Sequence, residues 1–408
     1  MAQKKKIPEL LSPAGNYEKL EFAVRYGADA VYLAGNNFGM RAAADNFDFE
    51  SMKKAVEYAH KRNVKVYVTV NTMPRNKDIS CLPEYLMNLS EVSPDGVIVA
   101  DLGVFSTVKK YLPQTDIHIS TQGANFNYET CRVWHEMGAK RVVLARELSL
   151  DEISEIRAKT PKTLELEAFV HGSMCVSISG RCLLSDFYTQ RGANEGKCTQ
   201  PCRWVYHFSE EKRPQDVLTG EIYPEGTYIF GSKDMCMVSH IDKLVKAGID
   251  SFKIEGRMKS SYYTAVVTNA YRMAIDDYCE GKVFNDKILK ELDSVSHREY
   301  CTGYYFDATS EQANLASSTG YIGEKSFLSV ITEYDIETGL AKCYQKNKMS
   351  TGDTARYLTP GKTASEFQIG KMYDLNMKPI DSTPHARMEF YIEMPFEVSG
   401  GDIIASAK

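Results

Sequence analysis

Short, almost continuously apolar runs recur from residue 9 to residue 254, and segments with helical spacing separate them. The runs are Glu9–Ser12, Val31–Leu33, Val64–Val70, Val97–Ala100, Ile117–Ser120, Val142–Ala145, Leu164–Val170 and Phe252–Ile254. Runs without a polar face predict strands covered on both sides. Between them, 51–62 places Met52, Ala55, Val56 and Ala59 on one helical face, and 151–159 follows a Ser149 cap. Gly27, Gly96, Gly138 and Gly248 each stand between a helical segment and the next apolar run. Glycine takes the left-handed conformation that ends a helix without a Cβ clash, so these are helix-to-strand joins. Eight strands alternating with helices predict a closed (β/α)8, TIM-like barrel, with an open doubly wound sheet as the competing arrangement.

The alternation fails from Cys175 to Ser232, which predicts an insertion (175–232) between the seventh strand and its helix. A loop of that length inside a compact domain needs something to order it, and a metal centre would serve. Helical spacing returns at Tyr262–Glu280, and a largely polar connector (283–319) follows. Beyond Gly320 only short strand-like runs remain: 323–331, 340–344, 350–354, 359–361 and 387–392. The organisation predicted is therefore a barrel domain (1–282), the connector, and a small C-terminal all-β barrel domain (320–408).

With 408 residues, 43% hydrophobic and 25% charged, the chain has the composition of a soluble globular protein. A formal net charge of −5 excludes a protein coated in positive charge for indiscriminate nucleic-acid binding, though not a local basic patch. No apolar run approaches the roughly eighteen residues that cross a bilayer, and residues 1–8 lead into a polar segment, so a cytoplasmic location without membrane attachment is expected.

Five of the ten cysteines fall between residues 175 and 236: Cys175, Cys182, Cys198, Cys202 and Cys236. In a reducing compartment such a cluster indicates metal ligands or reactive thiols rather than disulfides. Cys81, Cys131, Cys279, Cys301 and Cys343 are scattered and read as small core residues. Structural zinc sites present two tight pairs, and only Cys198 and Cys202 form one; the wider Cys175–Cys182 spacing suits a bulkier iron–sulfur cluster. Spacing alone leaves both metals open. A cysteine peptidase with Cys175 as nucleophile and His171 as base is a third reading, but it leaves the other thiols unexplained. Barrel enzymes carry their chemistry after the C-terminal ends of strands. Those positions hold residues 12–15, Asn71, Asp101, Gln122, Arg146, Glu147, His171, Glu255 and Arg257, a polar ring of mixed charge.

The pattern Glu167-x-Phe169-x-x-Gly172-Ser173-x-Cys175, followed by Gly180-x-Cys182-Leu183-Leu184-Ser185, resembles the signature of the collagenase-like peptidase family U32. Residues 12–15, 27–31, 232–234, 252–257 and the terminal β-domain are also similar to it, so the resemblance covers nearly the whole chain. What it implies is not proteolysis but an oxygen-independent hydroxylation protein with a [4Fe-4S] cluster. The likeness is greatest to the branch that forms 5-hydroxyuridine at the tRNA wobble position with prephenate as hydroxyl donor; sister branches act on a ribosomal RNA cytidine or in ubiquinone synthesis. It implies Cys175, Cys182 and Cys198 as ligands, with Cys202 and Cys236 competing for the fourth place and structural zinc as the alternative occupant. Glu255, Arg257 and His171 become catalytic candidates, and Arg146, Lys253, Gln122 and Asn71 cofactor-binding ones. The expected partners are the tRNA anticodon loop and a homologous subunit. Cations and aromatic faces for RNA are expected from Arg181, Arg191, Lys197, Arg203, Trp204, Lys253, Arg257, Lys259, Tyr262 and Tyr263.

Overall fold

A computed structural model describes residues 7–41, 45–175, 177–204, 206, 209–210, 213–217, 232–306, 320–323 and 325–407. Its barrel strands are β1 (Glu9–Pro13), β2 (Ala30–Ala34), β3 (Lys65–Val70), β4 (Gly96–Val99), β5 (Asp116–Ile119), β6 (Arg141–Val143), β7 (Glu165–Ser173) and β8 (Ser251–Ile254). All eight run parallel in chain order. Strand β8 closes the ring, with Ser251 opposite both Glu9 of β1 and Glu167 of β7. That closure excludes the open sheet.

Side chains alternate across each strand, which sorts the apolar runs into two sets. Val31, Leu33, Val66, Val68, Val97 and Val99 are buried under the surrounding helices, against Leu20, Phe22, Met52, Ala55 and Val56. The segment read as 51–62 forms the helix Phe49–His60, capped by Asp48, and 151–159 forms Leu150–Lys159, closed by a Ser149–Glu152 capping box. Three of the four joins use glycine at positive φ; at the fourth, Ser93 takes the left-handed conformation and Gly96 enters β4.

The inward set is charged at the floor. Arg141 meets Glu9 at 2.6 Å, Glu165 at 2.7 Å and Glu167 at 3.0 Å, while Lys253 Nζ donates to Glu167 Oε1 at 2.8 Å. Burial alone would push the Glu9 carboxyl up, but Arg141 outweighs it and holds Glu9 below the usual carboxylate range. Charges this deep survive only with several partners each, so the network makes a rigid base beneath the mouth.

Strand β7 outruns the barrel, and its end pairs antiparallel with Asp234–Cys236. Where β7 meets the segment after β8, Gly172 has φ +101 and a Cβ there would stand 2.3 Å from the Glu255 carbonyl oxygen. Only glycine fits.

The C-terminal unit is an antiparallel half-barrel of eight strands, from Phe327–Asp335 to Ile403–Ser406, around Ile331, Ala341, Cys343, Phe390, Ile392 and Ile404. Its third strand is Thr354–Leu358; the runs read at 350–354 and 359–361 are largely the turns that flank it. It packs on the barrel through Arg25–Asp402 at 2.6 Å, Arg356–Glu291 at 2.7 Å, and Tyr262 stacked on Phe327 with centroids 5.7 Å apart. The helix Ser261–Cys279 is thus covered from both sides, and Tyr262 and Tyr263 are 2% and 1% exposed. These two tyrosines belong to the core and offer no face to RNA. In the connector, Asp286–Leu292 is a helix and Tyr300–Cys301 a short strand; residues 307–319 lie outside the described set, as do 218–231 of the insertion. Cys131 and Cys343 are core residues as expected, whereas Cys81 is exposed. Among the described residues no helix is long and apolar enough to cross a membrane.

Candidate active site

The cysteine segment folds back over the C-terminal ends of the strands in short turns and one helix, Leu184–Thr189. Buried Ser185 ties its halves together, donating to the Arg191 carbonyl at 2.7 Å and accepting from Thr199 N at 3.0 Å. Asn194 clamps both backbone groups of Cys182 at 3.3 and 3.2 Å. Two contacts pin the segment to the barrel: Arg181 Nε donates to the Gln122 carbonyl at 2.8 Å, and Ser179 N donates to Glu147 at 2.8 Å. The result is a roofed cavity of about 150 Å³ at the barrel mouth.

Cys175, Cys182, Cys198 and Cys202 all line this one cavity, and all are free thiols. Leu184 N donates to Cys182 Sγ at 3.3 Å and Gln200 N to Cys198 Sγ at 3.4 Å. Among the described residues, no three His, Cys, Asp or Glu side chains are placed to hold one metal ion together. A soft four-thiol set spread around a chamber fits a cluster, in which each iron takes its own thiolate, better than a single zinc ion. Cys236 lies elsewhere: it sits behind β7 opposite His171, is buried, and burial pushes its thiol up to about 12. Of the two competitors for the fourth position, Cys202 is the one on the cavity.

Glu255, Arg257, Arg146, Lys253, Gln122 and Asn71 also line it. Arg257 is buried with NH1 3.4 Å from Thr69 Oγ1, and burial lowers its pKa. Glu255 accepts from Tyr32 OH at 3.4 Å and stands 3.9 Å from Arg41. Arg146 donates to the Ser173 carbonyl at 2.9 Å and lies over the Phe169 ring. Asn71 Nδ2 approaches Gln122 Oε1 at 3.5 Å. Gln122 Nε2, Thr121 Oγ1 and Ser179 Oγ are buried on the cavity wall without a hydrogen-bond partner among the described residues. Buried polar atoms are normally satisfied, so these three mark where a ligand's polar groups belong.

His171 does not join them. The register between β7 and β8 skips Val170, setting Ile254 opposite His171, and the imidazole packs outside the barrel against Tyr263, Tyr271 and Tyr300. Burial lowers its pKa to about 3, so it is neutral, and it does not line the cavity that holds Cys175. This removes it as a base for that thiol. Asp101 likewise caps a helix, accepting from Gly103 N and Val104 N, and does not line the cavity.

Sequence reasoning missed Arg41. Burial disfavours its charge, but Glu255 and the Cys175 and Cys198 thiols outweigh that and raise its pKa. The signal was the long segment between β2 and the next helix, which has room to reach over the mouth.

Residues 15–315 match the model of peptidase family U32, and residues 324–405 match that family's C-terminal domain. A Bacillus subtilis (strain 168) protein named "tRNA hydroxylation protein P1" is 37% identical over 384 residues, covering 93% of this chain and 90% of the relative. An Escherichia coli (strain K12) protein named "tRNA hydroxylation protein P" is 35% identical over 393 residues, covering 86% of each. A solved structure described as a U32 peptidase is 14% identical with a TM-score of 0.40, covering 62% of this chain and 94% of that one.

Proposed function

The chain belongs to peptidase family U32, and from that premise we propose that it hydroxylates tRNA, converting the wobble uridine to 5-hydroxyuridine at the barrel mouth, in the cytoplasm. The observation that carries this reading is the single cavity shared by four thiols, four buried or half-buried arginines and the Asn71–Gln122 pair of side-chain amides. Cys175, Cys182, Cys198 and Cys202 would hold a [4Fe-4S] cluster there. With every iron taken by a thiolate, that group supplies electron transfer.

The remaining residues bind and orient. A pyrimidine taken out of its stack is read through its polar edge, and the Asn71–Gln122 amides, with the free Gln122 Nε2, supply donors and an acceptor for it. Prephenate, the proposed hydroxyl donor, carries carboxylates, for which guanidinium groups are suited partners. Arg257 and Arg146 both line the cavity and are available for that purpose, and Arg41, 3.9 Å from Glu255, lines it too. Lys253 Nζ lies over the Tyr32 and Phe169 rings, 4.6 and 5.4 Å from their centroids.

Mass spectrometry of tRNA nucleosides from a strain lacking this protein tests the reading. 5-Hydroxyuridine should disappear, return with the wild-type chain alone, and stay absent with Cys175→Ala. Unchanged nucleosides in the deletion strain would end the proposal; recovery only with a second homologue would make this chain a partner subunit.

A further inference from the structure

A second cavity of about 380 Å³ opens beside the first and shares Arg41, Gln200, Arg203, Glu255 and Met258 with it. Its own wall adds Lys259, Ser260 and Tyr321. Among the described residues, three cations, Arg41, Arg203 and Lys259, thus line it with one carboxylate, Glu255, which is engaged by Arg41 and Tyr32, while Lys259 Nζ also donates to the Ser296 carbonyl at 2.8 Å. Around Tyr321 the crowding is sharper. Arg203 NH1 donates to the Tyr321 hydroxyl at 2.8 Å, Lys259 Nζ lies 4.3 Å from the ring centroid, and the Arg298 guanidinium lies 5.1 Å from it. Like charges so close repel. Burial, and after it Arg203, hold Arg298 below the ordinary guanidinium range. Ser260 is also the N-cap of the nineteen-residue helix Ser261–Cys279, whose positive end therefore faces the same chamber.

We propose that this second cavity is a phosphodiester subsite, gripping the RNA backbone beside the nucleotide whose base enters the thiol-lined cavity. The inference rests on the RNA reading above. Two chambers divided by a shared arginine wall match the division of a flipped nucleotide into base and phosphate. The residues next to Arg203 support RNA over a small anion: Trp204, which follows it in the chain, is 41% exposed and Phe187 81%, with Tyr188 between them at centroid distances of 6.2 and 5.3 Å. Exposed aromatic faces in series are stacking platforms for neighbouring bases.

The experiment measures binding of tRNA from the deletion strain to purified wild-type, Lys259→Gln and Arg203→Gln protein across a KCl series. Each substitution should weaken binding severalfold and make the log–log salt dependence shallower by about 0.7 to 0.9, the share of one phosphate contact. Prephenate affinity should not change in Lys259→Gln, whose side chain lines the second cavity and not the first. Lys259→Gln, remote in sequence from every cysteine, decides the matter if Arg203→Gln also disturbs the neighbouring thiols. Wild-type slopes in the variants, or a loss confined to prephenate, would overturn the subsite while leaving the tRNA reading intact. Wild-type protein that binds no tRNA would bring down both.

Discussion

Replacing Glu167 with glutamine strikes the base on which the cavity rests. Glu167 is fully buried, with Lys253 Nζ at 2.8 Å on one oxygen and Arg141 NH1 at 3.0 Å on the other. Arg141 keeps Glu9 at 2.6 Å and Glu165 at 2.7 Å, so its charge stays compensated. Lys253 is left against the faces of Tyr32 and Phe169. Removing one partner of a buried pair costs about 3–5 kcal/mol. The carboxamide oxygen still accepts one hydrogen bond, which places Glu167→Gln near the lower end, about 3 kcal/mol, or roughly two decades in the unfolding constant. Urea denaturation followed by circular dichroism measures it, and for a chain this long, with a slope of about 3 kcal/mol per M or more, the midpoint should fall by roughly 1 M or less at an unchanged slope. Adding Lys253→Met removes the stranded charge and should restore part of the loss without restoring hydroxylation, because Lys253 lines the cavity. A loss under about 1 kcal/mol, or no recovery in the double variant, would refute the reasoning that this carboxylate exists to neutralise Lys253.

Cys202→Ala should lose iron and colour, while Cys236→Ala should keep both; the opposite outcome in anaerobically purified protein would exchange their roles. His171→Phe should leave hydroxylation intact, measured by nucleoside analysis. It should also flatten the pH dependence of stability: a buried histidine with its pKa lowered to about 3 takes up its proton more readily when unfolded. Its contribution is therefore complete above the ordinary value near 6.5 and is lost as pH falls from there toward 3, at up to about 1.4 kcal/mol per pH unit. Gly172→Ala should destabilise by about 2 kcal/mol or more, read in the same urea titration, because a Cβ at positive φ would press on the Glu255 carbonyl.

The barrel was legible because its strands are buried on both faces, and each apolar run becomes a strand within two residues, except that β7 runs three residues further than its run. The ring of polar positions after those strands was legible for the same reason: Asn71, Gln122, Arg146, Glu255 and Arg257 do line one cavity. His171 escaped the pattern because a one-residue register skip against β8 turns its ring outward, and periodicity carries no trace of such a skip. Tyr262 and Tyr263 escaped because a helix between two packed units is buried all round, so its apolar positions do not reveal an exposed face. Cys236 could not be separated from Cys202 by spacing alone. Only the antiparallel pairing of 234–236 with the end of β7 removes it from the mouth.

Iron held by the four thiols at the barrel mouth, for chemistry on RNA, can be counted. Iron and acid-labile sulfide determination on the chain, purified without oxygen, should give about four irons and four sulfides per wild-type chain, lost in Cys175→Ala. A colourless wild-type protein with stoichiometric zinc and no iron would contradict this assignment.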